Sequence, residues 1–286
     1  MDFKNIEDGI VLLIKKAETD LPDDVVKALE QAYKTEKGVA KIQIDAILKN
    51  IKLARESQRP MCQDTGIQTF FVEVGIDFPY IEKLKDIIHN GVKKATKEIP
   101  IRPNTLNPLS SENHKDNTGV HIPYITWDFV KGDTVKIISF PKGGGSENMS
   151  KLGMLKPGVG IEGVKDFVVE EIIKAGGQPC PPTVVGVGIG GGADLALKLG
   201  KKSLLRPVGH RNPDKNIAEI EEEILKRINK SGIGPMGLGG KTTALDVHVE
   251  IAHRHPASLP VGIAVQCWAD RRAVMVINSD GSWEVE

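Results

Sequence analysis

Three cysteines, at positions 62, 180 and 267, are the only thiols in a chain of 286 residues, and each stands where the sequence changes character. Cys62 lies in Arg59-Pro60-Met61-Cys62-Gln63-Asp64-Thr65-Gly66. Cys180 follows Gly176-Gly177-Gln178-Pro179, and Cys267 ends the apolar run that begins at Val261. A glutamine (Gln63, Gln178 or Gln266) lies within two residues of each. Taken singly, each thiol could be an inert core residue, because free cysteine packs as a small apolar side chain. Taken together, the three suit one iron-sulfur cluster. Electron-transfer clusters use four cysteines, so three leave one iron without a protein ligand. An iron with an open position is a Lewis acid that can hold a carboxylate and a hydroxyl and help the hydroxyl leave, which is the chemistry of reversible dehydration. Zinc, with His253 or His255 as fourth ligand, is the alternative; structural zinc sites favour short Cys-x-x-Cys pairs, and these cysteines are far apart in sequence.

Dehydration also needs a proton donor or relay and groups that hold carboxylates. Asp64 adjoins a thiol, and His255 lies beyond a strand end in His253-Arg254-His255-Pro256, so an Asp64–His255 pair is a candidate relay, with Asp64 fixing the tautomer. Arg102 and the turn Gly143-Gly144-Gly145 are candidates for carboxylate capture, arginine by bidentate pairing and the turn by a concave row of backbone N–H groups. Each has a plainer reading: an Asx turn for Asp64, a structural histidine, a surface arginine, an ordinary glycine turn.

The thirty glycines invite a nucleotide reading. Gly186-Val187-Gly188-Ile189-Gly190-Gly191 fits the dinucleotide fingerprint, but the acidic residue expected about twenty positions on is missing. Gly239-Gly240-Lys241-Thr242-Thr243 resembles the end of a phosphate loop, yet Pro235 holds its first glycine position and a strand pattern follows instead of a helix. A nucleotide-binding module using Gly186–Gly191 is the rival from another functional class. A cluster with a structural or sensing role is a third.

These residues must be positioned by a mixed α/β framework of the α+β kind. Apolar stripes at Ile6, Ile10, Leu13, Ile14 and Ala17, at Val25, Val26, Leu29, Ala32 and Tyr33, and at Ile44, Ile47, Leu48, Ile51 and Ala54 predict a helical N-terminal region over about residues 1–57. It is expected to pack on mixed β-sheet structure with surrounding helices. Strands are predicted at 69–74, 124–127, 134–140, 183–189, 261–265 and 273–277. The alternation from Leu245 to Ile251 predicts another, covered on one face, and Asn278-Ser279-Asp280-Gly281 a hairpin into Trp283. Residues 101–117, rich in Pro, Asn and Ser, form a long loop of the length usually kept for function. No repeat or linker-like shift divides the chain, so a single catalytic domain over 1–286 is the simplest organisation.

Lysine plus arginine equals aspartate plus glutamate at 38 each, which gives no charge to attract nucleic acid or an anionic membrane. No apolar run approaches a bilayer span, and acids occupy the N-terminus where a signal peptide would be basic. The expectation is a soluble cytoplasmic protein with reduced thiols.

The runs Arg59–Gly66, Pro141–Asn148, Gly190–Gly192 with the preceding Pro179-Cys180-Pro181-Pro182, and Ala264–Ala269 resemble the α subunit of class I (iron-sulfur) fumarase and L-tartrate dehydratase, over nearly the whole chain. The resemblance implies an oxygen-sensitive [4Fe-4S] cluster on Cys62, Cys180 and Cys267 whose fourth iron binds substrate. It implies contacts from Gln63, Asp64, Arg102 and Gly145 to a four-carbon dicarboxylate, with Asp64 and His255 as acid or relay. It also implies a separate β subunit, in a heterodimer or heterotetramer, that completes the site and carries the base. Hydration of fumarate to L-malate is the expected reaction, and dehydration of tartrate to oxaloacetate the alternative.

Overall fold

A computed structural model describes residues 2–286. In chain order the elements are α1 (Phe3–Thr19), α2 (Asp23–Thr35), α3 (Gly38–Ser57), β1 (Thr69–Gly75), α4 (Leu84–Glu98), β2 (Tyr124–Val130) and β3 (Val135–Ser139). There follow α5 (Gly144–Glu147), β4 (Lys151–Leu155), α6 (Gly160–Ala175), β5 (Thr183–Gly191), α7 (Ala193–Ser203) and α8 (Lys215–Asn229). The chain ends in β6 (Ala244–Arg254), β7 (Leu259–Gln266), β8 (Ala273–Ile277) and β9 (Trp283–Val285). The fold is α+β, with helices and two mixed sheets, as the periodicities predict. Among the described residues, no helix is long and apolar enough to cross a membrane.

The chain forms two compact units: 1–22, 50–144 and 271–286 in the first, 23–49 and 145–270 in the second. The predicted N-terminal helices are therefore shared out, α1 belonging to the first unit and α2 to the second. In the first unit a five-stranded sheet runs β2-β1-β3-β8-β9, with β1 parallel to β2 and the other neighbours antiparallel. Asp2 caps α1 by accepting from Lys4 N at 3.0 Å. The α1 face of Ile6, Ile10, Leu13, Ile14 and Ala17 packs with Leu84, Ile88, Val92 and Ala95 of α4 and the sheet's inner residues in one core. The two helices cross closely because Gly91 has no Cβ: one built there would lie 2.5 Å from Ile10.

In the second unit a four-stranded sheet runs β4-β7-β5-β6, with β5 parallel to β6 and the other pairs antiparallel. Its core joins Val185, Val187, Val247, Val249 and Val261 to the inner faces of α6 and α8. On α7 the glycine cluster finds its purpose. A Cβ at Gly186 would meet Gly200 O at 2.0 Å, and one at Gly188 would meet Ala196 O at 2.0 Å. The fingerprint-like glycines thus let a helix lie directly on the strand. The second glycine motif is also occupied, since the buried Glu36 carboxylate accepts from Lys241 N at 2.8 Å and Thr242 N at 2.6 Å. Both nucleotide-like signals are accounted for by the protein's own atoms.

Two features depart from the sequence reading. Strand β4 has no counterpart among the predicted strands; it is a five-residue edge strand whose Gly153 lies under the Phe167 ring. Strand β6 is predicted to turn Asp246, His248 and Glu250 to solvent, but Asp246 and His248 are fully buried. Arg211 and Gly209 N engage the Asp246 carboxylate, and Glu221 of α8 pairs with Arg206. His248 Nδ1 lies 3.1 Å from Ser203 O. Burial, with Arg206 nearby, pushes the His248 imidazole down to about 4. A base depressed in the folded state but ordinary in the unfolded chain contributes stability above about pH 6.5, and that contribution is lost as pH falls through 4. The expected loss is on the order of 3 kcal/mol. Between pH 7 and pH 4.5 the urea midpoint should fall for the parent chain and change less in His248→Gln, which carries no titrating group at this position.

Candidate active site

The first unit gathers the residues around Cys62. The segment 61–66 leaves α3 and runs, without regular structure, into β1. Its Gly66 has φ +67°, and a Cβ there would lie 2.6 Å from the Lys142 carbonyl, so only glycine allows the close Ile67–Lys142 bridge. Asp64 Oδ1 accepts from Gly66 N at 2.9 Å, which is the Asx turn. Asp64 Oδ2 accepts from Gly144 N at 2.8 Å. The plainer reading of Asp64 is therefore true as far as it goes, and each oxygen retains a second lone pair for another partner. The first N–H of α5 is accordingly taken by Asp64, where the sequence suggested an open row of N–H groups.

Arg102 is tied to the same segment. Its N–H donates to Thr65 Oγ1 at 3.0 Å, and its carbonyl accepts from Asn117 Nδ2 at 3.0 Å. Asn104 Nδ2 donates to Gly66 O at 3.1 Å. The loop 101–117 is thus ordered, pinned at both ends of its Pro-Asn stretch, and it places the exposed Arg102 next to Thr65 in the fold. Gln63 is likewise exposed, and Cys62 and Asp64 are half-buried.

Behind this surface lies a pair that the sequence reading missed. Arg271, 1% exposed, donates through one guanidinium nitrogen to Glu18 Oε2 at 2.6 Å and through the other to Asp64 O at 3.0 Å. Glu18 O accepts from Met61 N at 2.9 Å. Burial raises the Glu18 carboxyl to about 7 against the opposing pull of Arg271. The one signal in the sequence is Glu18 itself, a charge directly following the apolar stripe of α1; its partner lies 253 positions away.

The second unit gathers the other candidates. Cys180 O accepts from Trp268 N at 3.2 Å, which sets the Cys180 and Cys267 turns side by side. Cys180 adopts φ +55°, a left-handed conformation that is uncommon for a residue with a side chain and is found where structure imposes it. A Cβ on Gly145 would lie 3.5 Å from Gln178 O, and Ser146 Oγ approaches Gln266 Oε1 at 3.4 Å. The α5 turn therefore adjoins the segments that carry both thiols. His255 is exposed just past β6, and its Nδ1 accepts from Ala257 N at 3.1 Å. In the neutral ring that leaves the proton on Nε2, so the tautomer is set by Ala257, where the sequence suggested Asp64.

All three cysteines are half-buried, which suits soft thiolate ligands that must meet an inorganic group at a surface. Among the described residues no group of three or more His, Cys, Asp or Glu side chains closes on a single ion.

Over residues 7–276 the chain matches the family model for fumarate hydratase (Fumerase). A relative from Methanocaldococcus jannaschii, provisionally named L(+)-tartrate dehydratase subunit alpha, is 55% identical over 280 residues, 96% of this chain and 98% of its own. The L(+)-tartrate dehydratase subunit alpha of Escherichia coli K12 is 38% identical over 268 residues, 93% of this chain and 88% of its own. The matches define a hydro-lyase chain of the α-subunit type. It belongs to the fumarate hydratase (Fumerase) family, in agreement with the motifs around its cysteines.

Proposed function

We propose that the chain is the α subunit of an iron-sulfur L(+)-tartrate dehydratase, with Cys62, Cys180 and Cys267 holding a [4Fe-4S] cluster and both units working as one catalytic domain. The observation that carries the substrate is the name of relatives aligned over almost the full length at up to 55% identity. That shifts the balance from fumarate, which the motifs alone suggested, to tartrate. Fumarate hydration remains the second reading, favoured by the family model.

When bound, the cluster supplies an open iron as Lewis acid toward the carboxylate and hydroxyl of a hydroxy acid. The chain's own groups do the rest. Arg102, anchored through its backbone to Thr65 and Asn117, offers a guanidinium to one carboxylate. Gln63 and Gly145 are exposed for contact with the substrate's other oxygens. Asp64, held by two amides, keeps its carboxylate in one orientation. His255, with its proton on Nε2, can donate a hydrogen bond that stabilises the departing hydroxyl. Loss of water from tartrate breaks one C–O and one C–H bond and gives the enol of oxaloacetate. The C–H proton goes to a base on a β subunit, as the name "subunit alpha" of the relatives implies a second chain.

The test is anaerobic reconstitution with and without the β chain, assayed on L(+)-tartrate, the other tartrate isomers, fumarate and malate. Turnover of L(+)-tartrate only by the pair is expected. Full turnover by the reconstituted α chain alone would overturn the shared site, and a pair active on fumarate but inert to every tartrate would overturn the substrate.

A further inference from the structure

The hydrogen bonds behind the Cys62 segment form a closed bracket. The backbone carbonyl of Glu18 holds its N-terminal side by accepting from Met61 N at 2.9 Å, and Asn50 Nδ2 adds a bond to Met61 O at 2.7 Å. Arg271 holds its C-terminal side through Asp64 O at 3.0 Å. The bracket is closed by the Arg271–Glu18 contact at 2.6 Å, with Gln68 Nε2 at 3.4 Å from the other Glu18 oxygen. Between its two arms lie only Cys62 and Gln63, the proposed cluster ligand and the proposed substrate contact.

We propose that Arg271, braced by Glu18, is a positioning residue that fixes the direction in which the backbone presents Cys62, Gln63 and Asp64. Neither side chain reaches solvent, Glu18 being 0% and Arg271 1% exposed, so neither can touch substrate. A buried ion pair contributes little to net stability compared with apolar residues of similar volume, because both charges must be desolvated. The high Glu18 pKa agrees, since burial outweighs the attraction of Arg271 there. What the pair supplies in excess of an apolar filler is direction: a planar guanidinium donates to two acceptors at fixed angles. An apolar pair would fill the volume and keep the Glu18 backbone carbonyl that holds Met61 N, but it would leave Asp64 O without its guanidinium donor.

The activity arm of the test rests on the hydro-lyase reading, whereas the thiol arm does not. Glu18→Leu/Arg271→Met removes both charges together, and Arg271→Lys keeps the charge but loses the fork. Each is prepared as the cluster-free full chain, its fold is checked by circular dichroism, and iodoacetamide labelling of each cysteine is followed by peptide mass spectrometry at one pH. Labelling of Cys62 should accelerate by about tenfold or more, the scale of losing charge-assisted hydrogen bonds that restrain a local opening, while Cys180 and Cys267 keep their rates. In the reconstituted pair with the β chain, kcat should fall by about a hundredfold with a smaller change in KM, as for a small misplacement of reacting groups. Unchanged Cys62 labelling in a folded variant overturns the proposal, as does equal acceleration at all three cysteines, which marks general loosening. Should the double variant not fold, Arg271→Lys decides by the same criteria. An inactive parent pair would count against the hydro-lyase reading alone, and the labelling pattern would still decide the bracket.

Discussion

Replacing Cys180 by serine should leave a folded chain that cannot keep its cluster. Serine has nearly the same volume and accepts the same φ of +55° at the same cost. It also retains the two backbone bonds at this position, Cys180 N to Gly177 O at 3.1 Å and Trp268 N to Cys180 O at 3.2 Å. The fold should therefore lose about 1 kcal/mol or less. What disappears is the soft thiolate, for which a hydroxyl is a poor substitute toward iron. Iron and acid-labile sulfide after anaerobic reconstitution should drop to background, and activity of the pair with its β chain should drop at least about a thousandfold, because the Lewis acid is worth several kcal/mol to the reaction. Unchanged iron and sulfide in a folded Cys180→Ser chain would falsify the ligand assignment.

The same residue shows why candidate chemistry stands out in a sequence more readily than the frame does. Cys62, Cys180 and Cys267 announce themselves because reactive types are few and lie in short runs with glutamine, glycine and proline, and short runs are local. Strands β1, β5, β7 and β8 are legible for a similar reason, their apolar and β-branched residues being consecutive. Strand β4 is not, since its Lys-Leu-Gly-Met-Leu sequence has no run of β-branched residues and takes its strand conformation from pairing with β7. The polar alternation of β6 reads correctly as a strand and incorrectly as half-solvated. Arg206, Arg211 and Glu221 come from segments up to about forty residues earlier, and only folding brings them over Asp246 and His248. The Glu18–Arg271 bracket is the extreme case. No period or spacing links two positions near opposite ends of the chain, so its members appear in the sequence as one stray acid and one of two adjacent arginines. The glycines mislead in the other direction: at Gly186 and Gly188 a pattern kept for phosphate by some folds serves the close approach of α7.

Asp64→Asn separates the structural and chemical duties of one carboxylate. In the parent chain its two oxygens accept from two amides, Gly66 N and Gly144 N, at 2.9 and 2.8 Å. An asparagine amide can accept at only one of these places and must turn an N–H toward an N–H at the other. One bond is lost and a donor faces a donor, so a stability loss of about 1–3 kcal/mol is expected from the hydrogen bonding alone. That loss should appear in denaturant unfolding of the cluster-free chain. The chemical loss is measured separately, per mole of loaded cluster in the pair with the β chain. If Asp64 holds or relays a proton beside the substrate, kcat should fall by about a hundredfold to ten-thousandfold, with substrate affinity much less affected. If its task ends with the Asx turn and the first amide of α5, activity per loaded cluster should stay at the parent level while stability falls. The larger effect on kcat is expected, because two backbone donors need only one lone pair from each oxygen and leave the others open, and because Arg102 is anchored to the adjoining Thr65, a placement that a purely structural turn would not require.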